Sequence, residues 1–220
     1  MQIISWNIFF NIDNLEWRTR QICKKLLEYD ADIICLQEVS YFSWVIIKEL
    51  LCTKYTSPFE SPYKNNSGVR TFGEVILSKI EIIDKGFYKL DSLQGRTCSW
   101  IDIGLNIRVS TAHLESLKEK KYKDKRQKQM EMIKEHNKDL SWIWIGDSNL
   151  EKGEKNEMYD SGIDTYHANR FNEKLNYSYE YDKVWVSDDL RVKDFRVIGN
   201  EKVEDKWLSD HDGILVEINF

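Results

Sequence analysis

Two packed β-sheets with helices on their outer faces are the architecture that this 220-residue sequence predicts. Three observations lead there. Strand-like segments outnumber helical ones, the two classes alternate along the whole chain, and the longest apolar runs have the length of buried strands. Hydrophobic residues make up 41% and charged residues 31%, which suits a folded globular chain. With two prolines, ten glycines, no repeat and no low-complexity tract, residues 1–220 are expected to form a single domain.

The first expected strand covers residues 1–8 and the second Asp32–Gln37, where Ile33, Ile34, Cys35 and Leu36 form the unbroken apolar run of a strand buried on both faces. A helix belongs between them. Asp13, with Glu16 three residues on, resembles a capping box, and Leu15, Ile22, Leu26 and Tyr29 keep to one helical stripe. A second helix is expected over Tyr41–Leu51. Strands follow at 69–78, 80–88, 96–104 and 106–112, separated by turn signals such as Ser78-Lys79 and Gly104-Leu105-Asn106. A charged helix over 119–137 leads into the compact strand Ser141–Ile145, which ends at Gly146. Residues 150–180 are polar and irregular, and strands near 181–187, 193–198 and 213–219 finish the chain.

Cys23, Cys35, Cys52 and Cys98 are widely spaced among apolar neighbours, unlike a zinc site or a secreted disulfide scaffold, so buried free thiols in a reducing compartment are expected. The opening MQIISWN has neither a basic n-region nor a small-residue cleavage site. No apolar run approaches the ~20 residues of a membrane span. The expectation is an intracellular, soluble chain away from the membrane, and a monomer, since nothing points to an assembly.

Asn7, Glu38, His113, Asp147, Asn149, Asp182, Asp210 and His211 each stand at or near the end of an expected strand, and strand ends converge on one rim of a sheet. Singly each has an ordinary explanation: Glu38 as a helix N-terminal carboxylate, His113 as a structural histidine, Asp147-Ser148-Asn149 as a turn. Together they describe chemistry. Several carboxylates without paired cysteines favour a hard cation, magnesium over zinc, which needs only a sparse acidic set when substrate phosphate completes its shell. Two histidines supply donors for phosphate oxygens, Asp147 is placed to deprotonate water, and Asn149 to orient it.

The net charge of −5 argues against a chain coated in basic residues. The run Lys118–Lys128 (KEKKYKDKRQK) nevertheless holds seven basic and two acidic residues, so it is either a nucleic-acid backbone contact or a solvated helix face with i,i+4 pairs. Trp6, Trp142 and Trp144 belong to the core. Tyr166, His167 and Phe171 offer rings that stack on a base or simply occupy a surface loop.

The segments ISWNI (4–8), DIICLQEV (32–39), GEVILSK (73–79), STAHLES (110–116), IGDSNLE (145–151), YDKVW (181–185) and LSDHDGI (208–214) resemble, in order, those of the endonuclease/exonuclease/phosphatase superfamily. The resemblance implies a four-layered α/β/β/α sandwich and a metal-dependent phosphodiesterase using Mg²⁺, with Mn²⁺ as a substitute. It implies Glu38 as principal metal ligand, Asp210 at the metal or water, and Asn7 on the metal-bound phosphate. Asp147 is then the water-activating aspartate with Asn149 as its partner. His211 polarises the scissile phosphate, Asp182 holds His211, and His113 donates to the phosphate. Phe9 stands where many relatives carry an aspartate, which puts a second metal contact there in question.

Within the superfamily, WNIFFNIDNLEWRTRQI, DADIICLQEVS, AHLES and GDSNL resemble the tyrosyl-DNA phosphodiesterase 2 branch. That implies hydrolysis of 5′-phosphotyrosyl DNA, a topoisomerase adduct, in DNA repair. Ser116, Arg96, Lys118, Lys121, Arg170 and Tyr166 are the expected substrate contacts. The alternatives are an apurinic-site endonuclease or a 3′ exonuclease/deadenylase on the same core, and a catalytically inactive nucleic-acid-binding domain, for which only Phe9 speaks. A lipid headgroup phosphodiesterase is disfavoured for want of a secretion signal and an apolar membrane hairpin.

Overall fold

The computed structural model describes residues 1–58, 72–104 and 106–220. The expected strand residues 69–71 and Leu105 of the expected turn lie outside them. Along the chain come β1 (Gln2–Asn7), α1 (Leu15–Tyr29), β2 (Ile33–Ser40), α2 (Tyr41–Leu51), β3 (Phe72–Ser78), β4 (Ile82–Lys89), β5 (Thr97–Ile103) and β6 (Ile107–Ala112). Then follow α3 (Lys120–Asn137), β7 (Ser141–Asp147), β8 (Tyr166–His167), a 3₁₀ turn (Ala168–Arg170), β9 (Ser178–Tyr179), β10 (Asp182–Val186), β11 (Arg191–Ile198) and β12 (Gly213–Asn219).

One sheet runs β11-β12-β1-β2-β3, the other β10-β7-β6-β5-β4, and β8-β9 form a small ribbon. The continuous apolar runs exist because both faces of these strands are covered. Since successive side chains point to opposite faces, Ile33 and Cys35 of β2 pack between the sheets with Ile143 and Ile145 of β7. Ile34 and Leu36 pack outward against Ile22 and Leu26 of α1 and Trp44 and Ile47 of α2. On the far side Trp142 and Trp144 of β7 cover Met130 and Ile133 of α3. The result is the expected four-layered α/β/β/α sandwich, with Trp6, Trp142 and Trp144 all buried.

The first helix does not begin on a capping box. Asn14, in the left-handed region at φ 53°, caps α1 without a side-chain bond. The cause is competition: the Asp13 N–H donates to Asn11 Oδ1 (2.7 Å) and the Asp13 carbonyl accepts from Arg18 Nε (3.1 Å), so the local bonds there serve a tight loop. The reciprocal cap lies on α2 instead, where Ser43 N–H donates to Ser40 Oγ (3.2 Å) and Ser40 N–H to Ser43 Oγ (2.8 Å). None of the four cysteines is in a disulfide, and Cys52 is only partly buried. No helix among the described residues is long and apolar enough to cross a membrane.

Gly199 adopts φ +70°, and a Cβ there would stand 2.2 Å from the Trp6 ring. Backbone conformation and space both demand glycine. Gly199→Ala is therefore expected to destabilise the fold by roughly 2–4 kcal/mol, lowering Tm by roughly 5–15 °C in a thermal melt.

Candidate active site

Topology gathers the strand-end residues at one rim. β1 and β2 are parallel, so Asn7 lies beside Gln37. His113 and Asp147 face each other in a parallel bridge just past β6. β10 runs antiparallel to β7, which sets Asp182 directly opposite Asp147. β12 runs antiparallel to β1, which returns the Asp210-His211 loop to the same rim. The sheets are pinned together beneath this rim by Gln37, whose amide donates to Ser5 Oγ (3.0 Å) on one sheet and Thr111 Oγ1 (2.9 Å) on the other. Above it opens a cleft of about 730 Å³, whose floor includes Glu38, His113, Asp147, Asn149, Asp210 and His211.

Asp147 is the hub. Its Oδ2 accepts from Asn7 Nδ2 (3.0 Å) and lies 3.3 Å from His113 Nε2 and 3.6 Å from His211 Nε2, while its Oδ1 accepts from the Asn149 N–H (3.0 Å). Burial lifts its carboxyl to about 6, opposed first by His211 and seconded by Asp182. A buried carboxylate raised toward neutrality is a better proton acceptor than an ordinary aspartate. Asn149, at φ 49°, is held by an Nδ2 bond to the Leu114 carbonyl (3.2 Å) and still reaches the cleft.

His211 Nδ1 pairs with Asp182 Oδ2 at 2.8 Å, and both side chains are buried. Burial alone would neutralise the imidazole, but Asp182 and then Asp147 outweigh it and hold His211 up at about 10. It is thus a fixed cation with Nε2 turned toward the floor of the cleft.

Glu38 lies inside β2 rather than beyond its end. The β2–β3 register slips between Leu36 and Val39, and Glu38 adopts φ 58°, so a bulge turns its side chain to the rim. Its Oε2 accepts from the Phe10 N–H (3.1 Å). Burial lifts its carboxyl above the ordinary range, and burial lifts Asp210 to about 6 with Glu38 adding to the rise. Glu38 and Asp210 thus bring two carboxylates to one cleft, only partly offset by His211, and a hard divalent cation is a group that fits their oxygens. Among the described residues no set of three or more His, Cys, Asp or Glu side chains is arranged as a metal cage. Magnesium asks for less: one or two carboxylates, waters and substrate phosphate.

Arg18 of α1 fixes the loop that serves Glu38. It is 1% exposed, and its guanidinium donates to the carbonyls of Ile8 (3.0 Å), Leu208 (3.2 Å), Phe9 (3.0 Å), Asn11 (2.5 Å) and Asp13 (3.1 Å). Phe9, also left-handed at φ 58°, packs against Phe171 at 4.9 Å with the rings tilted by 53°, and the Arg18 guanidinium lies 5.4 Å from each ring. At Phe9 this chain thus builds an aromatic–cation contact.

Two walls rise from the floor. Tyr166, Tyr177 and Tyr181 line one, with Tyr166 stacked on Tyr181 at 5.3 Å and Tyr179 behind it at 5.0 Å from Tyr181. Lys118 lies over the rings of Tyr177 (4.9 Å) and Tyr179 (4.5 Å) and bonds the Tyr179 hydroxyl. Phe10, Phe72 and Arg96 line the other, and Arg96 is held by Gln94 Oε1 (3.0 Å) and Ser116 Oγ (3.3 Å). Of the expected substrate contacts, Ser116, Arg96, Lys118 and Tyr166 reach the cleft.

Three expectations move. Asn7 is fully buried behind Asp147 and does not line the cleft. Arg170 turns away, binding Asp212 Oδ1 (2.5 Å) over the Trp207 ring (4.1 Å); His167 Nε2 takes Asp212 Oδ2 (3.0 Å). Lys121 lies outside the cleft, 4.6 Å from the Tyr122 ring. The basic run is also spent differently from either expectation. Arg126 is buried and forked on Glu154 (2.6 and 3.2 Å), Lys123 pairs with Glu151 (2.5 Å), and Lys125 and Lys128 reach Asp91. These partners are off the helix and anchor it, so only the start of the run faces the cleft.

Sequence reasoning missed Arg18, Asp212, Phe10, Phe72, Tyr177 and Tyr181. The tyrosines left a signal: Tyr177, Tyr179 and Tyr181 alternate, the spacing that puts rings on one side of an extended chain.

The model of the endonuclease/exonuclease/phosphatase family matches residues 4–211. No curated protein matches the sequence. Among solved structures, D. rerio TDP2 complexed with single-strand DNA product superposes with a TM-score of 0.83 at 21% identity, over 100% of this chain and 99% of that one. TDP2 from C. elegans gives 0.82 at 21% identity, over 98% of this chain and 74% of that one. A mannosyl-6-phosphatase of Bacteroides thetaiotaomicron gives 0.77 at 20% identity, over 100% of both. The structures share the sandwich, and the family match runs from the first strand to His211: this chain belongs to the endonuclease/exonuclease/phosphatase family.

Proposed function

We propose that this protein is a Mg²⁺-dependent phosphodiesterase that hydrolyses 5′-phosphotyrosyl–DNA linkages, with Mn²⁺ able to replace Mg²⁺. The observation that carries this reading is the Asp147 hub: a lifted carboxylate beside a cationic His211, between two carboxylates suited to a hard cation and an aromatic wall topped by a lysine. Glu38 and Asp210 would hold the cation, which would supply charge neutralisation of the phosphate.

The chain's own groups do the rest. Asp147 takes a proton from water while Asn149 orients that water. His211 Nε2, its other nitrogen tied to Asp182, donates to a non-bridging oxygen as charge shifts onto it. His113 is a second donor, and Asn7 holds Asp147 in place. The tyrosine wall and Lys118 suit stacked bases and a phosphate backbone. A TDP2 of the same fold was solved with a single-strand DNA product, which supports a nucleic-acid substrate.

Substrate profiling tests this. With Mg²⁺ the protein is expected to release tyrosine from a 5′-tyrosyl oligonucleotide faster than it cuts unmodified DNA or RNA strands or dephosphorylates a hexose 6-phosphate. EDTA is expected to stop the release. Preference for an unmodified strand would move it to the nucleases, and preference for the sugar phosphate to the phosphatases.

A further inference from the structure

We infer that Asp212 is a positioning residue: paired with His167 and Arg170, it fixes Tyr166 in the register that faces the cleft. This rests on the reading of the cleft as a nucleic-acid phosphodiesterase site and deepens it. Tyr166 needs such a hold. It lies on β8, two residues long and paired with the equally short β9, a ribbon too small to be stable by itself. The ladder that docks the ribbon beside the active site is just as short. The His167 N–H donates to the Asp210 carbonyl (2.8 Å), the Asp212 N–H donates to the Thr165 carbonyl (2.6 Å), and Tyr166 bridges His211 between them. Backbone groups are alike at every residue, so two such bonds specify no register, and a slip of one residue turns Tyr166 to the other face.

Side chains specify it. Asp212 is 2% exposed, and its carboxylate takes Arg170 Nη1 on Oδ1 (2.5 Å) and His167 Nε2 on Oδ2 (3.0 Å). His167 follows Tyr166 and Asp212 follows His211, so the pair locks the two segments one step past the point where the Tyr166 and His211 rings meet at 5.0 Å. Arg170 widens the lock, because the same Nη1 reaches the Ser209 carbonyl (3.4 Å) and the guanidinium lies 4.1 Å from the Trp207 ring. A slipped register would part a buried carboxylate from its buried guanidinium, which costs far more than two backbone bonds. His211 has holds of its own: Asp182 on its Nδ1 (2.8 Å), the Trp6 Nε1–H on its carbonyl (3.0 Å) and Ser209 Oγ on its N–H (3.2 Å). Loss of the clamp therefore falls first on Tyr166, the ring that the wall offers to a base.

The test is binding of a fluorescent 5′-phosphorylated single-strand oligonucleotide with Mg²⁺, read by anisotropy, beside turnover of the 5′-phosphotyrosyl oligonucleotide. Stacking of one base on one ring changes affinity by roughly 5- to 150-fold. Tyr166→Ala is expected to raise Kd within that range, and Asp212→Ala to raise it by at least about threefold but no more than Tyr166→Ala does. The double variant is expected to bind no more weakly than Tyr166→Ala alone, because a clamp without its ring has nothing left to place. Asp212→Asn keeps the size and one acceptor and should fall between Asp212→Ala and wild type; it carries the same cycle if Asp212→Ala does not fold. In turnover the rise in KM should exceed any fall in kcat. Near-UV circular dichroism confirms that each variant is folded. With a wild type that binds and cleaves, multiplying effects in the double variant, or a wild-type Kd in either single alanine variant, overturn the clamp alone. A loss confined to kcat also overturns it, since the clamp would then serve His211 rather than Tyr166. A wild type that neither binds nor cleaves overturns the phosphodiesterase reading, and the clamp with it.

Discussion

Asp147→Asn is expected to lower kcat on the order of 10²–10⁴-fold, the range of a positioned general base, with little change in KM. The side chain keeps its size. Asparagine presents one acceptor to Asn7 Nδ2, His113 Nε2 and the Asn149 N–H, where the carboxylate presents two. Against that loss stands a gain, because burial already disfavours the charged form of Asp147 and holds it at about 6. The two effects oppose each other, so Tm should shift by no more than roughly 4 °C, the equivalent of about 1 kcal/mol in a domain of this size. Single-turnover kinetics beside a thermal melt separate chemistry from folding. A folded variant with kcat within threefold of wild type would remove Asp147 from proton transfer.

Arg18→Met should cost more stability than any surface change. It withdraws five donors from buried or partly buried carbonyls spread over Ile8, Phe9, Asn11, Asp13 and Leu208. Each orphaned acceptor costs about 1–3 kcal/mol unless water reaches it. Allowing for water at the outer part of the loop, the net is about 3–5 kcal/mol, or roughly 6–20 °C in Tm. The same loop presents the Phe10 N–H to Glu38, so Mg²⁺ affinity measured by calorimetry should fall roughly 10- to 100-fold, as when an outer-shell partner is lost. Arg18→Lys restores the charge but not the fork and should recover only part of either quantity. Wild-type Tm and Mg²⁺ affinity in Arg18→Met would show that the loop holds itself.

The sequence carried the sandwich because its strands are covered on both faces. Apolar runs such as Ile33–Leu36 and Trp142–Ile145 cannot be written any other way, and α2 was legible to its ends. That Glu38, His113, Asp147, Asn149, Asp210 and His211 meet in one cleft was legible too, since each ends or adjoins such a run. What escaped was what depends on partners without a sequence signature. The partners of Arg18 are backbone carbonyls, which every residue has. Arg170 is bound by Asp212, 42 positions away, and nothing local distinguishes that fate from a phosphate contact. The buried position of Asn7 follows from the bond it donates to Asp147, 140 positions on.

The most direct measurement is tyrosine release from a 5′-phosphotyrosyl oligonucleotide by the wild-type protein and Asp147→Asn, each stripped with EDTA and then given Mg²⁺. No release is expected from stripped wild type, with restoration on adding Mg²⁺, a 5′-phosphate end as product, and release at least about a hundredfold slower in the variant. Release that survives EDTA, or that Asp147→Asn supports at the wild-type rate, would contradict it.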